Sequence, residues 1–152
     1  LFQEYGEMMG LKADKNDMDL LFQWANDRTV RNNSFSTKQI QYEEHKQWYQ
    51  NLLNRTDCIQ YIYMQELESI GQVRLTINGS VAEISYSICE EKRCMGYGKT
   101  ILRLLYKQVK EDFPQIKKLI AKVKPENIAS RKVFTEVGYR ECDNVFEIEV
   151  IE

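Results

Sequence analysis

Residues Ser80 to Thr100 read SVAEISYSICEEKRCMGYGKT. An alternating strand runs into a short charged turn, a glycine-rich loop and the start of a helix. A loop of backbone N–H groups at a helix N-terminus is suited to holding a phosphate or pyrophosphate, because those amides lack internal partners and the helix dipole adds positive potential. Gly96 and Gly98 let the chain turn tightly there and expose its amides. A loop that needs glycine for its turn alone is the plainer alternative. A nucleotide-triphosphate loop also shares the Gly98-Lys99-Thr100 ending, but its first glycine would fall on Arg93, and the next strand runs into Lys124-Pro125 instead of a magnesium-binding carboxylate.

Working outward, residues 58–66, 71–77 and 80–88 alternate as strands of an antiparallel meander. The Asn78-Gly79 pair marks a two-residue hairpin turn that sets Ile77 opposite Ser80, Leu75 opposite Ala82, and Arg74 opposite Glu83. One face is then apolar throughout, and the other carries Arg74, Glu83, Ser85 and Ser87 as a polar strip ending at the glycine-rich loop. Upstream, residues 8–12 predict a first strand. A helix carries Met18, Leu21, Phe22 and Ala25 behind Asn16 as a cap, RTVRNNSFST is a polar loop, and a second helix spans about Gln41 to Asn54. Downstream, Ile101, Leu102, Leu105 and Val109 form the inward stripe of a long helix ending near Phe113-Pro114. A strand at 117–124, a helix at 128–137 and a strand at 144–151 follow. With no repeats and no linker-like tract, the 152 residues predict a single mixed α/β (α+β) domain over 1–152.

Composition excludes several classes. Hydrophobic residues make up 43% and charged residues 29%, close to globular averages, so neither disorder nor a fibrous class fits. A formal charge of -2 gives no basic footprint for nucleic acid, and no apolar run reaches the length of a membrane span. The four cysteines form no C-x-x-C pair and His45 is the single histidine, which argues against a structural zinc site or any other metal centre. Scattered thiols without a secretion signal suit a reducing cytoplasm.

The pattern Arg93-x-x-Gly96-x-Gly98, followed downstream by Asn127-x-x-Ser130-x-x-x-Phe134-x-x-x-Gly138-Tyr139, resembles the GNAT superfamily of N-acetyltransferases over roughly residues 8 to 150. The N-terminal half, WANDRTVRNNSF with His45-Lys46-Gln47-Trp48-Tyr49, looks like the acetyltransferases of bacterial nucleotide-sugar pathways, including those acetylating a 4-amino sugar on the route to pseudaminic acid. Ribosomal-protein N-terminal acetyltransferases share the C-terminal motif. The resemblance implies a mostly antiparallel mixed sheet of six to seven strands flanked by about four helices. It implies acetyl-CoA as cosubstrate and a small-molecule amine as acceptor, with a homodimer compatible. Similar domains also occur fused behind a nucleotide-sugar hydrolase, which would suit a chain opening at Leu1. A small-amine enzyme or a non-catalytic acyl-CoA-binding module are the other readings.

In that pattern the backbone of Ser87 and Ile88 would pair with the pantetheine arm, and the loop amides of Cys94, Met95, Gly96, Tyr97, Gly98, Lys99 and Thr100 would hold the pyrophosphate. Arg93 would add charge. Asn127 would contact the cofactor or cap the helix that follows it, with Ser130 beside it. Two residues are candidates for the base that frees the amine. Glu83 could also be the ion-pair partner of Arg74, and His45 could also be a packed core histidine. Trp24, Asn26, Arg31, Asn33, Ser34 and Arg74 would meet the acceptor, Arg31 with a fork suited to a diphosphate. Many family members have a tyrosine where this chain has Phe134, so the phenol that protonates the leaving thiolate is missing.

Overall fold

The computed structural model describes residues 7–151. Seven strands form one sheet in the order β1-β2-β3-β4-β5-β7-β6. They are β1 (Met8–Lys12), β2 (Cys58–Gln65), β3 (Glu68–Asn78), β4 (Val81–Ile88), β5 (Lys118–Lys122), β6 (Arg140–Cys142) and β7 (Val145–Glu149). Five α-helices accompany them: α1 (Met18–Ala25), α2 (Arg28–Asn33), α3 (Tyr42–Leu53), α4 (Tyr97–Asp112) and α5 (Ile128–Glu136). All strand pairs are antiparallel except β4–β5, which the α4 crossover makes parallel.

Strand alternation divides the core in two. On one face Val73, Leu75, Ala82, Ile84 and Leu119 pack against Ile101, Leu102, Leu105 and Val109 of α4 and Phe134 of α5. The predicted inward stripe of α4 is therefore the buried one. On the other face Cys58 and Ile62 meet Leu21 of α1 and Tyr49 and Leu52 of α3. Phe134 joins the first core as an aromatic hub, edge-on to Tyr86 and Tyr139 and stacked at 5.5 Å on Phe146.

Several expectations need correction. The β3–β4 turn is Gly79-Ser80, not Asn78-Gly79: glycine takes the positive φ of 64° at the first central position, where it costs no Cβ clash. Ile77 consequently pairs with Ala82 instead of Ser80, and every cross-strand partner moves by two residues. An even shift keeps each side chain on its expected face, so the polar strip survives, but Arg74 faces Ser85 and Glu83 faces Thr76. RTVRNNSFST is not simply a loop, because Asp27 accepts a hydrogen bond from the Val30 amide and starts α2. Asn16 caps nothing. Asp14 caps the preceding 3-10 turn, in a capping box with Asp17. The hairpin β6–β7 replaces the single closing strand, turning at Asp143 and Asn144, both with positive φ.

His45 belongs to the second core. It is buried among Phe22, Trp48 and Tyr49, and its Nε2 has no hydrogen-bond partner among the described residues. Burial lowers its pKa from the usual 6.5, outweighing a hydrogen bond with the Met18 backbone and the nearby Asp19 charge. The unfolded chain therefore binds a proton before the folded one does. Stability should be constant above about pH 6.5 and decline as pH falls through that value, and His45→Gln should remove this slope. Urea denaturation at a series of pH values measures it; an acid slope unchanged in the variant contradicts the assignment. Truncating the aromatic hub, Phe134→Ala, should cost about 3–5 kcal/mol in the same assay.

Candidate active site

The strands β4 and β5 pair over only three positions, Val81↔Lys118, Ala82↔Leu119 and Glu83↔Ile120. Beyond them β4 stays on β3 as far as Ile88 while β5 stays on β7 as far as Lys122, so the two strands part. The edge of β4 from Ile84 to Ile88 that faces β5 is left without a partner strand, a template for an extended chain. Between the parted strands lies a cleft of about 890 Å³.

At one end the cleft meets the N-terminus of α4. Gly96 is the N-cap, with φ 83° and no side-chain hydrogen bond to the helix, so the first-turn amides have no side-chain acceptor. A Cβ on Gly96 would meet nothing within 4 Å, so the glycine serves the backbone turn and not a close contact. Cys94 also holds a positive φ of 62° in this loop. Of the expected cofactor residues, Ser87, Ile88, Arg93, Cys94, Gly96, Tyr97, Gly98, Lys99, Asn127 and Ser130 line the cleft. Met95 and Thr100 do not: Met95 is exposed, and the Thr100 hydroxyl donates to the Gly96 carbonyl at 3.4 Å.

Arg93 is differently occupied than expected. Its Nη2 pairs with Asp27 Oδ2 at 2.7 Å and its Nε donates to the Ile88 carbonyl at 3.1 Å. Asp27 is pulled below the usual carboxylate range: burial alone would raise it, but the Arg93 contact and backbone amides at Val30 and Thr29 prevail. Asn127 is the N-cap of α5, its Oδ1 accepting from the Ser130 amide at 3.2 Å, while its Nδ2 makes no hydrogen bond among the described residues. The Ser130 hydroxyl shares a hydrogen bond of 3.0 Å with the Tyr86 phenol.

A second cavity of about 410 Å³ adjoins the cleft, between α1–α3 and the polar strip. Trp24, Arg31, Ser34, Arg74 and His45 line it, and Arg74, Arg31, Ser34, Ser85 and Ser87 line both spaces. Glu83 lines only the larger cleft and His45 only the smaller cavity, so the two candidate bases do not converge. Glu83 is about half exposed, with the Lys122 ammonium 3.8 Å away, and is not paired to Arg74. Asn26 lies outside both spaces, its amide clamping the Ile40 backbone through two 2.7 Å bonds. Asn33 lines the larger cleft. Arg31 spends its donors on its own loop, reaching the carbonyls of Ala25, Ser36 and Lys38 and the Ser34 hydroxyl, which leaves no fork for a diphosphate. Sequence reasoning missed Trp48, which covers Arg74, and Gln60 and Gln72. Gln60 donates to the Gln72 Oε1 at 2.6 Å, and Gln72 donates to the Ser87 hydroxyl at 3.0 Å. Both amides alternate onto the polar face with Arg74, which was the available signal.

Among the described residues no group of three or more His, Cys, Asp and Glu side chains could hold a metal ion, and no helix is long and apolar enough to cross a membrane.

Comparison with known proteins agrees with this geometry. No curated protein sequence matches the chain. Among solved structures, a domain from Methanocaldococcus jannaschii DSM 2661 superposes with a TM-score of 0.83 at 21% identity, covering 95% of this chain and 99% of that one. Spermidine N-acetyltransferase from Vibrio cholerae, in complex with CoA and spermine, gives 0.85 at 16% identity over 93% and 95%. The aminoglycoside acetyltransferase AAC(6')-Ib in complex with coenzyme A gives 0.82 at 15% identity over 94% and 95%. These likenesses establish the fold. Residues 11–140 match the model of the acetyltransferase (GNAT) domain, and the chain therefore belongs to the GNAT acetyltransferase family.

Proposed function

We propose that the protein transfers an acetyl group from acetyl-CoA to a primary amine of a nucleotide-linked amino sugar. The donor half of this reading is supported by one observation above the others: the parting of β4 and β5 beyond Glu83 and Ile120, which opens a cleft ending at uncapped helix amides. The acetyl thioester supplies a carbonyl carbon that a neutral amine attacks, forming a C–N bond as the C–S bond breaks. The amides of Cys94 and of Gly96 to Lys99 hold the pyrophosphate, and the free edge of β4 at Ser87 and Ile88 lines up the pantetheine arm. The Ile88 carbonyl already accepts from Arg93, so the strand end is fixed before the donor arrives. Asn127 contributes its Nδ2, and Ser130 its hydroxyl.

Glu83 takes the proton from the acceptor ammonium, directly or through water. It faces the cleft and no short ion pair immobilises it. His45 is kept neutral by burial and shapes the acceptor cavity, with Trp24 and Ser34 on its walls. No phenol stands at position 134, so the thiol of CoA, with an ordinary pKa near 8.5, leaves as the thiolate. The nucleotide-linked acceptor is supported by the resemblance of the N-terminal half and by two adjoining spaces large enough for donor and acceptor. The structural relatives that take spermine or aminoglycosides favour a second reading, an unphosphorylated small amine.

Two substitutions separate donor binding from chemistry. Gly96→Val forces a branched side chain into a positive φ and should weaken acetyl-CoA binding by roughly tenfold or more, read by calorimetry. Unaltered affinity would place the donor elsewhere. Glu83→Gln should lower turnover by about 10²-fold near neutral pH while CoA affinity stays constant. Full activity in that variant removes Glu83 from the chemistry, and thiol release with no amine tested, including nucleotide-linked amino sugars, sinks the acceptor assignment.

A further inference from the structure

The smaller cavity has a floor of polar side chains drawn from three neighbouring strands: Gln60, Gln72, Arg74, Ser85 and Ser87. Most of that floor is satisfied internally. Gln60 Nε2 donates to Gln72 Oε1 and to the Val73 carbonyl, and Gln72 Nε2 donates to the Ser87 hydroxyl. Arg74 is the exception. A guanidinium carries five N–H donors, and among the described residues this one has neither a hydrogen bond nor an ion pair. Its one specific contact is the Trp48 ring, whose centroid lies 5.2 Å from Cζ. That contact covers the flat face of the fork and leaves its donor edge unused.

No carboxylate among the described residues forms an ion pair with it. Glu83 lies diagonally across the strand pair, where its charge favours the guanidinium without touching it, and has the Lys122 ammonium at 3.8 Å, while Glu44 sits at the exposed side of the cavity wall. His45 adds no charge, since burial keeps it neutral. Arg31, the other guanidinium on the wall, has its donors committed to its own loop. Arg74 is half-buried and opens onto both spaces, so its donor edge is available to an entering oxyanion, and a planar fork matches a carboxylate or phosphate.

We infer that the donor edge of Arg74 is an oxyanion subsite, so that the acceptor is an amine whose own molecule carries a phosphate or carboxylate, and not a polycation. The inference rests on the reading of this cavity as the acceptor side. Arg74 lines both spaces, so the anion sits near the junction where amine and thioester meet. The same positive charge disfavours a neighbouring ammonium and increases the neutral fraction of the attacking amine. A polyamine such as spermidine brings only like charge to this floor and is discriminated against.

Steady-state acetylation with glucosamine 1-phosphate, a free amino acid, glucosamine and spermidine tests this in wild type, Arg74→Gln and Arg74→Lys. The wild type should show a KM at least about tenfold lower for one of the two anionic amines than for glucosamine, and the better one identifies the oxyanion as phosphate or carboxylate. Arg74→Gln should abolish that preference with the KM for acetyl-CoA unchanged, and Arg74→Lys should restore part of it. Independently of turnover, inorganic phosphate added to CoA-loaded protein should quench tryptophan fluorescence in wild type and not in Arg74→Gln. Spermidine as the best acceptor, an anion preference that survives Arg74→Gln, or a phosphate response unchanged in Arg74→Gln would each overturn the subsite. Acetylation of no amine at all, with the phosphate response intact, would instead overturn the acetyltransfer reading and leave the subsite standing.

Discussion

Parallel pairing between β4 and β5 is held to three residue pairs, and the organisation of both cavities follows from that limit. Strands that stayed paired to Ile88 would close the space next to the α4 N-terminus and cover the free β4 edge. Each of the diverging strands is held by a different partner, β4 by β3 and β5 by β7, so the gap is stabilised by the sheet on either side of it. The opening costs backbone hydrogen bonds that an extended ligand can restore. The same alternation of side chains that buries Ile84 against α4 turns Ser85 and Ser87 to the opposite face, toward the helices of the N-terminal half.

The long periodic elements were legible in the sequence. The stripe of α4, the three-strand meander and the two motifs flanking α4 and α5 each rest on many residues, so local errors do not displace them. The sheet has seven strands and most pairs are antiparallel, as the family resemblance implied. The short elements were harder. Six residues of α2 carry no full apolar period, and only Asp27 as a cap marks them. The Asn78-Gly79 pair is a strong hairpin signal, yet Gly79-Ser80 turns equally well and extends the ladder by a further pair, Asn78↔Val81.

Site residues were legible as types and not as partners. Arg93, Arg31 and Asn26 all read as polar groups free for a ligand, because a sequence does not tell which carbonyl or carboxylate each will find. Arg93 found Asp27, sixty-six positions earlier in the chain, Arg31 found its own loop, and Asn26 found Ile40. Conversely, Arg74 was expected beside Glu83 and lies instead beneath Trp48. The two-residue displacement of the hairpin is the physical origin of that change: it moved Glu83 to a diagonal position and left Arg74 without an ion-pair partner among the described residues.

Helix α2 is tethered at both ends. Asp27 at its start grips Arg93 beside the glycine-rich loop, and the carbonyls of Asn32 and Ser34 at its finish accept from Lys124 just past β5. This short helix therefore bridges the two banks of the cleft like a crossbar. The helix thus ties the glycine-rich loop to the residues beyond β5 through one ion pair and two hydrogen bonds, and a substitution at Asp27 or Lys124 would release one of its ends.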